Sequence, residues 1–153
     1  LSGEKKKRLV EQHLESNPSC GVMILDNIVH FLNDFNDTKE SSALVEWLIG
    51  IKNTFRCHII VVLHENGSMS GGGKAKGHVG SLLENTCETV IRVEKDSNNS
   101  MASIVSPALT RNREFGKFTI KMDDHWIPSL HRYEDTESST QKKDLENFRK
   151  KQF

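Results

Sequence analysis

The side chains that could do chemistry in this 153-residue chain are Asp26, His64, Lys74, Lys76 and Arg111. Asp26 ends the apolar run Cys20-Gly21-Val22-Met23-Ile24-Leu25. A carboxylate there suits magnesium, which prefers hard oxygen ligands and which nucleotide hydrolases hold in this way, commonly through water. It equally suits capping of a helix over residues 27–32. His64 ends a second apolar run, His58-Ile59-Ile60-Val61-Val62-Leu63. An imidazole in that place can act as a general base, a metal ligand or a phosphate sensor, or serve a structural hydrogen bond.

Next comes Gly71-Gly72-Gly73-Lys74-Ala75-Lys76. It follows a strand and precedes a helix, the setting of the phosphate-binding pattern GxxxxGK[ST]. The match fails twice. Ser68 stands where the first glycine belongs, and Ala75 stands where a hydroxyl would bind magnesium. Lys74 and Lys76 can instead meet a nucleic-acid backbone as point charges, unless the loop is merely solvated. Arg111 lies in Leu109-Thr110-Arg111-Asn112-Arg113-Glu114-Phe115-Gly116. From a hairpin rim an arginine can reach a neighbouring subunit's nucleotide, or it can be an ordinary surface turn. Neither the other histidines nor Cys20, Cys57 and Cys87 fall at recognised metal spacing, and no GxSxG occurs.

The elements that must position these groups are legible in the periodicity. Residues 4–15 predict a helix stopped by Asn17-Pro18-Ser19. The run from Cys20 predicts a strand buried on both faces, as in parallel sheets. A helix capped by Thr38 or Ser41 is expected to run to about Phe55, with the apolar Leu44, Val45, Leu48, Ile49 and Ile51 at helical spacing. A second buried strand spans residues 58–64, a short helix residues 78–86, and a third parallel strand residues 89–94. Beyond Asp96, residues 102–105 and 118–122 predict antiparallel strands around the Arg111 segment, and Trp126-Ile127-Pro128 closes the fold. The expected class is therefore α/β, with right-handed crossovers and an active edge at the carboxyl ends of the parallel strands. Asp26, His64 and the glycine loop fall on that rim.

Composition narrows the function. Lysine plus arginine and aspartate plus glutamate both number 21, so the net charge is zero and a general basic coat for nucleic acid is excluded. Hydrophobic residues at 35% exclude full disorder. No apolar run reaches the roughly 20 residues of a membrane span, and no signal peptide is legible. The three cysteines, odd in number and far apart in sequence, suit a reducing, cytoplasmic setting without membrane contact. The chain begins with Leu1, and we expect it to be a piece of something longer.

Taken together, these residues resemble the second half of a RecA-like ATPase core, nearest to hexameric DnaB-type and plasmid RepA-type helicases and ATPases of mobile elements. The likeness covers about residues 21–123. It implies that Val22-Met23-Ile24-Leu25-Asp26 is the Walker B strand, with Asp26 on magnesium through water. It implies that Val61-Val62-Leu63-His64 ends in the γ-phosphate sensor, His64, so that Asp26 and His64 would bind ATP with its magnesium. Residues 65–77 would be the loop that meets single-stranded DNA through Lys74 and Lys76. Arg111-Asn112 before Gly116 is similar to the RNG hairpin whose arginine acts in trans, within a homo-oligomer that is a hexamer in the parent.

Two departures stand out. Leu109 occupies a position where DnaB-type relatives often carry lysine, and no Walker A motif precedes Asp26. The resemblance therefore implies a RecA-like partial core lacking its P-loop half, unable to hydrolyse ATP alone and tight for neither ATP nor magnesium. Two strand edges would lack their partner, the Walker A strand. The expected organisation is an N-terminal helix over 1–18, a half-domain over 19–132 and a polar tail over 133–153. The alternative is a non-enzymatic α/β binding or assembly module. A third reading is a nuclease or phosphatase that pairs Asp26 with Asp34 or Asp37.

Overall fold

The computed structural model describes residues 1–64 and 77–133. The chain divides into two compact units, Leu1–Cys87 and Glu88–Phe153. In the first, Ser2 caps helix α1 (Gly3–Ser16), and Asn17 closes it with an N–H to the Leu14 carbonyl. Pro18 follows, and proline cannot continue a helix. Strand β1 (Val22–Leu25) leads through a 3-10 turn (Ile28–Phe31) to helix α2 (Thr38–Phe55). The cap of α2 is Asp37, whose carboxylate accepts from the Glu40 N–H at 2.8 Å, rather than Thr38 or Ser41. Arg56, in the left-handed conformation at φ 53°, ends it.

Strand β2 (His58–Val61) then pairs with β1 in parallel, in the register Val22↔His58 to Leu25↔Val61. Helix α3 (Gly77–Thr86) completes the unit. Leu25, Ile28, Leu44, Val45, Leu48, Val79 and Leu83 form its main core, and Leu14, Ile51 and Cys57 a second cluster. Trp47 ties α1 to α2. Its indole N–H donates to Glu11 at 2.7 Å while Phe31 stacks on the ring at 5.7 Å.

The second unit is an antiparallel sheet in the order β3 (Thr89–Asp96), β4 (Asn99–Thr110), β5 (Phe118–Met122), β6 (Pro128–Tyr133). The register Val93↔Val105↔Phe118 runs across three of its strands. Asp123 shapes the turn into β6, its carboxylate accepting from the His125 and Ile127 N–H groups, both at 2.8 Å.

Three expectations are corrected here. Residues 89–94 do form a strand, but it pairs antiparallel with β4 and not with the parallel sheet, which among the described residues has only β1 and β2. Its side chains carried no information about direction; the tight turn at Ser97-Asn98 forces the chain back on itself. Trp126-Ile127-Pro128 does not close the fold, since Pro128 opens β6. Proline is tolerated there because it is the first residue of an edge strand. Finally, β1 and β2 bury one face only: Val22 and Ile24 are 54% and 63% exposed, and Ile60 50%.

Candidate functional site

The site starts from the parallel pair. Parallel strands leave a sheet at the same end, so residues just beyond Leu25 and Val61 emerge together. Backbone bonds lace that exit: the Val62 N–H donates to the Leu25 carbonyl at 2.9 Å, and the Ile28 N–H donates to the Val62 carbonyl at 3.1 Å. Asp26 is the first residue past β1. His64 lies past β2, which ends at Val61 rather than at His64 as the apolar run suggested. Both side chains are exposed. The structure thus brings Asp26 and His64 to one end of one sheet.

Asp26 does not cap the turn that follows. Asn27 does, its side-chain oxygen accepting from the Val29 N–H at 3.2 Å, and the Asp26–Asn27 peptide is cis. The Asp26 carboxylate makes no hydrogen bond or ion pair among the described residues, so it is free to face a cation or bound water. Among the described residues no group of three or more His, Cys, Asp or Glu is gathered to hold a metal.

Asp34 and Asp37, the further carboxylates of a metal-dependent nuclease, are committed elsewhere. Asp34 accepts from the Asn36 N–H at 2.8 Å, and Asp37 caps α2. Glu40 fastens the same loop. Its carboxylate accepts from the Asn33 and Asp34 N–H groups at 2.8 and 3.2 Å and from the Asn33 amide at 3.0 Å. These donors favour the ionised form, so the Asn33 side chain first, then the two backbone amides, hold Glu40 below the usual carboxylate range.

The start of α3 rests on this loop. Gly77 adopts φ +69°, and a Cβ there would come within 2.7 Å of the Phe35 carbonyl oxygen, so only glycine fits. The Val79 N–H points at that carbonyl, at 3.5 Å. Lys74 and Lys76 lie outside the described residues. The expected DNA-binding loop joins His64 to Gly77, both fixed in the first unit.

Arg111 belongs to the second unit, immediately beyond β4, in the connection to β5. It is exposed, and its N–H donates to the Glu88 carbonyl at 3.0 Å, which anchors the start of that connection beside β3.

Sequence reasoning passed over Asn27, Glu40 and Gly77. The pattern Asp37-x-x-Glu40 was a visible signal, since it resembles a capping box. Here the glutamate turns to Asn33 and Asp34 instead. Nothing in the sequence marked Gly77 as a contact point, because its partner, Phe35, is remote along the chain.

These elements define a mixed α/β protein with a small parallel sheet and a four-stranded antiparallel one. No protein-family model matches the chain, and no curated protein does. No helix among the described residues is long and apolar enough to cross a membrane.

Proposed function

We propose that the chain is the carboxyl half of a RecA-like, helicase-related ATPase that depends on single-stranded DNA. The observation that carries this reading is the parallel pairing of β1 with β2, with Asp26 and His64 leaving the same end. In an α/β protein, ligands bind outside the carboxyl ends of parallel strands. Asp26 would hold magnesium through water and His64 would sense the γ-phosphate of ATP. β4 and β5 pair antiparallel, as expected for residues 102–105 and 118–122, and Arg111 opens the β4–β5 connection, where an arginine acting on the adjacent subunit's nucleotide would sit. Lys74 and Lys76 would meet the DNA backbone.

Two parallel strands with one bare face are an incomplete core, since parallel sheets are buried on both sides. On this reading a P-loop strand and its helix complete it, and residues 1–153 alone do not hydrolyse ATP. The test joins these residues to any P-loop segment encoded upstream and measures ATP hydrolysis with and without single-stranded DNA. Turnover stimulated by DNA, and lost in Arg111→Ala, is the expected result.

A second reading is favoured by a specific observation. Val22, Ile24 and Ile60 form a contiguous exposed apolar patch, which in soluble proteins marks an interaction surface. On that reading the chain is a binding or assembly module, and the extended, well-folded protein shows no turnover.

A further inference from the structure

We draw no further inference here: the strongest candidate, the bare apolar face of the β1–β2 pair formed by Val22, Ile24 and Ile60, carries nothing, because nothing in the structure shows what covers it.

Discussion

The two sheets of this molecule reach order by different routes. The β1–β2 pair is a ladder of 4 residues on each side, and its strands are separated in sequence by the 3-10 turn and the whole of α2. Such a pair has little of its own to hold it. Its order comes from one face, where Met23, Leu25, Ile59 and Val61 pack with residues of α2 and α3. The antiparallel sheet is built locally. β3 and β4 are joined by a tight turn, and β4 extends over 12 residues. There the ladder and cross-strand pairs such as Val93↔Val105 supply the order. The parallel pair is thus dependent on its supports, and it is also where the candidate chemistry sits.

That contrast can be broken by substitution. The largest effect is expected at Leu44, fully buried on α2 beneath the parallel pair. Leu44→Ala should cost about 2–5 kcal/mol in urea unfolding, by lost transfer energy and the cavity left behind. Val105→Ala in the antiparallel sheet should cost about 2 kcal/mol, for two methyl groups and a smaller cavity. If the order of these two costs is reversed, the parallel pair does not rely on its helices as described.

Arg56 comes next. It is exposed and left-handed at the end of α2, a position where glycine pays no Cβ penalty. Arg56→Gly should raise stability by about 1 kcal/mol, read as a higher urea midpoint at unchanged slope. A loss would mean that the arginine side chain holds the crossover into β2.

Glu40 gives a pH signature confined to the first unit. Its folded pKa is lowered by Asn33 and Asp34, so the unfolded chain binds its proton more readily. Stability from Glu40 is therefore present above the ordinary glutamate pKa of 4.5 and lost as pH falls through the lowered folded value. Glu40→Gln should flatten the acid limb of the stability curve. An identical limb in wild type and variant would remove Glu40 from the account.

The smallest effect is expected at Ile24, on the bare face of β1. Ile24→Thr should change stability by no more than about 0.5 kcal/mol, as surface substitutions do. A cost approaching that of Leu44→Ala would show that the face is covered in solution.

What was legible in the sequence follows the same division. Helix α1 and the end of α2 were readable within a residue because their apolar spacing and stop signals are local, whereas α2 is capped by Asp37, ahead of both expected caps, Thr38 and Ser41. Strand β5 was readable from its alternation. The parallel pairing of β1 with β2 was also readable, since strands joined by a helix crossover run in the same direction. Direction and coverage were not. Thr89-Val90-Ile91-Arg92-Val93 reads alike in a parallel or an antiparallel sheet, and its partner is decided by the turn after Asp96. Val22-Met23-Ile24-Leu25 reads as doubly buried whether or not anything packs on Val22 and Ile24. Pro128 concealed β6, because proline marks a strand only at an edge, and edges are not visible in a sequence.

The most direct test of the proposal that the exit of the parallel pair faces ATP and magnesium is turnover by Asp26→Ala in the chain extended through any P-loop segment encoded upstream. A fold as stable as wild type is expected, because the exposed Asp26 carboxylate makes no hydrogen bond or ion pair among the described residues, with hydrolysis reduced to background. Unchanged turnover would contradict it.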